Sequence, residues 1–323
     1  AFDQAARRRE SFLARLPLES GRLQALLAPL VDWTRGWYGL ALCFVNLLRG
    51  DELWTVAASG APPGHGAGFH SPAEENFCTS CVKASEPLII ADSPRHLVYA
   101  THPETRAGIA FYAGVPLRIE GDVAVGTFCV ADFSARPFSR EDLQVLERGG
   151  DIVAKMLEAV AAGGSREAPI RDGLVVPSFF GEVLEAELRR AAREGHDLTL
   201  TLLRIAGSDA ALLPPVAGRI AQVIGAARAA VSGSGETAIL LAAPAAGSSA
   251  RARAAAAIAD LLRLGLIAGA GTARVVTGSG PVESAALFST AESALASALR
   301  GDTAVEQVVV PGTAKRSELS PMT

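Results

Sequence analysis

The stretch "AAGGSREAP", residues 161–169, constrains this chain more than any other. It ends one long helical pattern and precedes another, with paired glycines, small polar residues and a proline that a helix does not continue through. The break divides 323 residues into two parts, each of a size that closes one hydrophobic core. The expected organisation is a helical lead at 1–18, a first domain at 19–163, a linker at 164–178, a second domain at 179–311 and a frayed tail at 312–323.

Within the first part, "ESGRLQALLAPLVDW" places Leu23, Leu26, Leu27, Leu30 and Val31 on one helical stripe. "LALCFVNLL" and "ELWTVAAS" flank Arg49-Gly50-Asp51 and read as a hairpin, and "FYAGVPLRIEGDVAVGTFCVAD" reads as a strand pair turning at Glu120-Gly121-Asp122. Ser139 is an N-cap for the next helix, with Asp142 in a weaker form of the capping box. Leu143, Leu146, Gly150, Val153, Leu157 and Val160 repeat there at steps of three and four, so the helix packs either on its own sheet or along a dimer seam. After the break, helices and strands alternate, which predicts a sheet with one helical side. The fold class is α/β of the α+β kind, two domains each built on a central, mostly antiparallel sheet flanked by helices.

Several function classes are disfavoured. The 30 Lys and Arg stand against 34 acids, with no basic run beyond Arg7-Arg8-Arg9, so nucleic acid is not an expected partner. A membrane span needs roughly 18 to 20 apolar residues, and the best candidate is interrupted by Arg251, Arg253, Asp260 and Arg263. No membrane insertion and no apolar signal core are expected, and the four cysteines are too few for a disulfide framework, so a reducing, cytoplasmic setting is expected.

The phrases "NFCTSCVKASEPLIIADS", "GIAFYAGVPLRIEGDVAVGTFCVAD" and "RPFSREDLQVLERGGDIVAKMLE" resemble the GAF domain, a small-molecule and light-sensing module of bacterial signalling proteins, over about residues 19–163. The resemblance implies a ligand cavity lined by Phe77, Cys78, Asp92, His96, Phe111 and Tyr112, a partner signalling protein, and a homodimer through the first and last helices. No cofactor is identified. Cys78 and Cys81 form a C-x-x-C that, with His65 and His70, is the alternative metal or redox cluster, set against a site without metal. Cys43 and Cys129, inside apolar strands, read as core.

The second part resembles the GGDEF domain of diguanylate cyclases in "FFGEVLEAELRRAAREGHDLTLTLLRI", "GSGETAILLAAP" and "FSTAESALASALRGDTAVEQVVV". That family holds divalent metal against GTP with two carboxylates. Here Arg204 stands at one of those positions and Gly235 at the other, leaving Glu236 alone. An arginine there repels the cation that the chemistry requires. The segment 207–225 is shortened and lacks the guanine-contacting Asn and Asp, and Ile224 and Ala227 fill the places of the product-binding arginine and aspartate. The resemblance therefore implies a catalytically inactive GGDEF-like domain that works through protein or nucleotide contacts. The alternatives are a diguanylate cyclase, or another nucleotide-binding receptor with a divergent site.

Overall fold

The computed structural model describes residues 2–120, 122–164, 170–171, 174–207, 210–224, 228–234, 236–243, 250–276, 282–301 and 304–309. The chain forms two compact units, Ala1–Arg171 and Asp172–Thr323. Gly121, Ala227, Gly235 and the expected tail at 312–323 lie outside the described residues, as does part of the expected linker.

The first unit runs α1 (Phe2–Leu13), α2 (Arg22–Tyr38), β1 (Leu42–Arg49), β2 (Glu52–Ser59), β3 (His70–Pro72), α3 (Phe77–Ala84), β4 (Leu88–Ile90), α4 (Pro103–Arg106), β5 (Phe111–Ile119), β6 (Val123–Asp132), α5 (Arg140–Ala161) and β7 (Ile170–Arg171). Its antiparallel sheet has the order β3-β2-β1-β6-β5-β4. Nearly every residue of β5 and β6 is buried, so both faces must be covered. Helices α2 and α5 cover one face, and α3 lies on the other.

The capping box at the start of α5 is complete rather than weak. The Ser139 hydroxyl accepts from Asp142 N at 3.1 Å, and Ser139 N donates to Asp142 Oδ2 at 3.0 Å. Gly149 and Gly150 let this helix approach the sheet closely. A Cβ at Gly149 would lie 2.6 Å from Phe128 Cε1, and one at Gly150 would lie 2.8 Å from Val115 Cγ2.

This packing decides between the two readings of the leucine stripes. Leu27 and Leu157 are both 0% exposed, and Leu23, Leu30, Val31, Leu146, Val153 and Val160 are buried with them inside the unit. The buried residues of both stripes pack within this chain, which accounts for the periodicity without a partner copy, while Leu26 and Leu143 are half-buried. A period of three and four marks the buried side of a helix without saying what buries it.

The second unit contains β8 (Leu174–Val175), α6 (Pro177–Glu194), β9 (Leu198–Ile205), α7 (Leu213–Ile224), β10 (Arg228–Ser234), β11 (Thr237–Ala243), α8 (Ala250–Arg263), β12 (Ile267–Val275), α9 (Ser284–Ala298) and β13 (Ala304–Val308). Five strands form the sheet β10-β11-β9-β12-β13, antiparallel except for the parallel pair β12–β13. Helices cover both faces, not one as expected. Leu203, Ile205, Leu240 and Ala270 pack under α7 and α8, whereas α9 lies against β12 from the opposite face. There Gly271 meets Leu295 so closely that a Cβ would stand 2.0 Å from its backbone nitrogen. The central strand β9 is buried at almost every position, which requires cover on both sides.

Candidate functional site

A cavity of about 410 Å³ opens in the first unit between the α3 face of the sheet and the segments that follow β2 and precede β5. Strand alternation selects its lining: Leu42, Phe44 and Asn46 from β1, Leu53 and Thr55 from β2, Tyr112 from β5, and Cys129 and Ala131 from β6. Its size falls within the range of small-molecule sites, roughly 300 to 1,000 Å³. Most of the lining is apolar, with a few polar groups converging on the floor.

Those polar groups are ordered by one another. Thr55 Oγ1 donates to Asn46 Oδ1 at 2.8 Å, which turns the Asn46 amide nitrogen towards two sulfurs. Asn46 Nδ2 lies 3.4 Å from Cys78 Sγ and 3.8 Å from Cys129 Sγ. The Tyr112 hydroxyl donates to Cys78 Sγ at 3.3 Å, and the two sulfurs are 3.6 Å apart. Hydrogen bonding from Cys129 holds the Cys78 thiol below its ordinary pKa, assisted by Tyr112 and Asn46 against the opposing effect of burial. Cys129 is pushed the other way, first by its bond to Cys78 and then by burial. The pair shares its ionisation, and the donors from Tyr112 and Asn46 favour placing the charge on Cys78.

Glu104 enters from α4. The first N–H groups of a helix lack partners within it, and Asn76 gives α3 no side-chain cap. The Phe77 N–H there donates to Glu104 Oε2 at 2.5 Å. Burial, and next the nearby Cys78, push the Glu104 carboxyl up to about 8, although the Phe77 N–H pulls it down. It is therefore largely protonated at neutral pH.

The expected site residues separate into two groups. Cys78 and Tyr112 line the cavity. Phe77 is fully buried beside it, stacked on His102 with centroids 4.3 Å apart. Phe111 is one residue out of phase with Tyr112, so it points to the other face and packs against Phe138 at 5.5 Å. Asp92 accepts from Arg95 N at the start of a single 3-10 turn, and His96 packs on Tyr99 at 4.9 Å; neither lines the cavity. The alternative cluster does not converge either. His65 reaches the cavity, but His70 stacks on Trp54 and lies 3.2 Å from Glu52, and the Cys81 thiol faces the carbonyls of Glu86 and Gly114. Among the described residues no three metal-ligating side chains come together.

Sequence reasoning misses Asn46, Thr55, Glu104 and the role of Cys129, which reads from its strand as core only. Cys129 is indeed buried, at 2% exposure, yet it also lines the cavity. An asparagine inside the apolar run "LALCFVNLL" is the available signal, since a buried amide requires partners.

In the second unit, Arg204 and Glu236 are brought together. Arg204 Nη1 lies 2.8 Å from Glu236 Oε2, Thr237 stands opposite Arg204 in the ladder, and Ile205 N donates to Glu236 O at 2.8 Å. The carboxylate at this turn is therefore engaged by a cation of the same chain.

The family model of the GAF domain matches residues 21–158. The first unit carries a GAF domain. Among solved structures, the chain is similar to the GAF domain of a phosphoenolpyruvate-protein phosphotransferase from Coxiella burnetii, at 18% identity over 50% of this chain and 95% of that one, with a TM-score of 0.38. It is also similar to the GAF domain region of a putative membrane protein from Geobacter sulfurreducens PCA, at 20% identity over 41% and 91%, TM-score 0.36. A third is the type II free methionine-R-sulfoxide reductase from Thermoplasma acidophilum, at 14% identity over 45% and 96%, TM-score 0.36. No curated protein matches the chain. The GAF match ends before the second unit begins, and no helix among the described residues is long and apolar enough to cross a membrane.

Proposed function

We propose that this protein is a signalling protein whose GAF domain senses a small molecule in the 410 Å³ cavity, and whose second domain is a catalytically inactive GGDEF-like module acting through protein or nucleotide contacts. The observation that carries the sensory reading is the cavity lining. Among the described residues it contains Asn46, Thr55, His65, Glu75, Glu104 and Tyr112 but neither Lys nor Arg, so an anionic ligand would enter with no fixed cation to replace its water. The ligand is therefore uncharged or cationic, and a cyclic nucleotide fits poorly.

The inactive reading of the second domain is supported by the Arg204–Glu236 ion pair, which engages the one carboxylate left at the turn for a metal to use. Mass spectrometry of small molecules released from freshly purified protein, with thermal-shift titration of the candidates found, tests the first reading. Stabilisation by a cyclic nucleotide in preference to neutral or amine ligands would overturn the charge argument. Incubation with GTP and Mg²⁺ or Mn²⁺ tests the second, and synthesis of cyclic di-GMP would refute it.

A further inference from the structure

We propose that Cys78 and Cys129 are a reactive dithiol that reduces a hydroperoxide entering the cavity and closes to a disulfide. The inference goes beyond ligand sensing and does not depend on which ligand the cavity takes. Both sulfurs line the cavity, so a small oxidant that enters it meets the pair directly. They stand 3.6 Å apart, on α3 and β6, and a disulfide needs them to approach to about 2.05 Å.

The surroundings distinguish this pair from two core thiols. Cys78 Sγ faces donors from Tyr112 and Asn46, and the Asn46 amide is held in place by Thr55. Asn46 lies nearer Cys78 than Cys129 and the Tyr112 hydroxyl donates to Cys78, and donors closer to one sulfur stabilise its thiolate, which is the nucleophile. The other two cysteines lack this setting. Cys81 gives its S–H to backbone carbonyls, and Cys43 lies on β1 out of phase with the cavity-lining Leu42 and Phe44, where burial pushes its thiol up.

The reaction balances. The Cys78 thiolate attacks the terminal oxygen of the hydroperoxide; an S–O bond forms, the O–O bond breaks, and the departing alkoxide takes a proton to become an alcohol. Cys129 then attacks the resulting sulfenic sulfur; the S–S bond forms, the S–O bond breaks, and hydroxide leaves with the Cys129 proton as water. Two thiols and one hydroperoxide give one disulfide, one alcohol and one water, or two waters from hydrogen peroxide.

The test uses the full, reduced chain and hydrogen peroxide. Intact mass should fall by two hydrogen atoms, and non-reducing peptide mapping should join Cys78 to Cys129. In Cys129→Ser the reaction should stop at a Cys78 sulfenic acid that dimedone traps, whereas Cys43→Ser should still form the disulfide. Tyr112→Phe should slow the first step several-fold. Wild-type protein that keeps both thiols under peroxide, or that oxidises first at Cys43 or Cys81, overturns the proposal without recourse to any variant.

Discussion

Replacing Glu104 by glutamine should change how the stability of the GAF domain depends on pH. The amide keeps an oxygen to accept the Phe77 N–H, and it removes the titration. In the native protein the Glu104 carboxyl is raised from 4.5 to about 8, chiefly by burial. A folded-state value above the unfolded one means that the native state binds the proton more tightly. The contribution is thus fully present below about 4.5, is lost progressively as pH rises, and is gone above about 8. A tenfold difference in proton affinity between the folded and unfolded states corresponds to about 1.4 kcal/mol, which sets a ceiling of about 5 kcal/mol. Glu104 is only half-buried, so water screens it, and about half the ceiling, 2 to 3 kcal/mol, is the working figure.

Cys78 acts in the opposite sense. Its value is lowered in the folded state, so it adds stability as pH rises through the neutral range. Most of that contribution is common to wild type and variant, so the difference between their melting curves reports Glu104 together with its coupling to Cys78. The two proteins should melt together near pH 5. By pH 8.5 wild type should melt lower by about 5 to 10 °C, at roughly 2 to 4 °C per kcal/mol for a domain of this size. Parallel curves across pH 5 to 8.5, or a wild type that is the more stable one at the alkaline end, would refute the assignment of a half-buried, protonated carboxyl.

Leu157→Asp should unfold the first unit rather than split a dimer, at a cost of about 3 to 5 kcal/mol, because the carboxylate would enter a site with 0% exposure; loss of folded signal in circular dichroism checks this. Gly149→Ala should destabilise by about 1 to 3 kcal/mol in urea melts, since Phe128 must move to admit a methyl group. Arg204→Ala should cost under about 1 kcal/mol, because its pair with Glu236 is partly exposed, and should leave GTP turnover absent. Arg204→Asp combined with Gly235→Asp should lower the melting temperature and restore no cyclic di-GMP synthesis, because the shortened segment 207–225 lacks the base contacts that position a nucleotide.

Much of the architecture was legible because it depends on local rules. The Arg49-Gly50-Asp51 turn, the Ser139 cap and the alternation of β5 and β6 each follow from residues a few positions apart, and the strands fall where those signals place them. The layering of the second unit was less legible. "LTLTLLRI" lies in a sheet expected to carry helices on one side only, whereas Thr199 and Thr201 are buried with hydroxyls satisfied by Ala242 O and by Thr272. A threonine that finds an acceptor is as compatible with burial as a valine, and periodicity alone does not separate the two cases.

The cavity was the least legible part, because its lining comes from segments far apart in the chain whose meeting is set by sheet order. Cys78 was visible within its C-x-x-C, but the other cysteine of that motif does not line the cavity. On a helix, residues three apart share a side, but Cys81 is drawn to the carbonyls of Glu86 and Gly114. Cys129 arrives beside Cys78 because β6 pairs with β1, which also places Thr127 opposite Asn46 and so fixes which face of β6 looks into the cavity. The phase of one strand decides the chemistry. Shifting β6 by one residue would turn Cys129 away from Cys78 and bring Phe128 or Val130 to the cavity floor, leaving the Asn46 amide facing a single sulfur. The thiol pair is therefore a property of strand register rather than of any motif, and oxidation of Cys78 to a disulfide with Cys129, not with Cys81, is the chemical readout of that register.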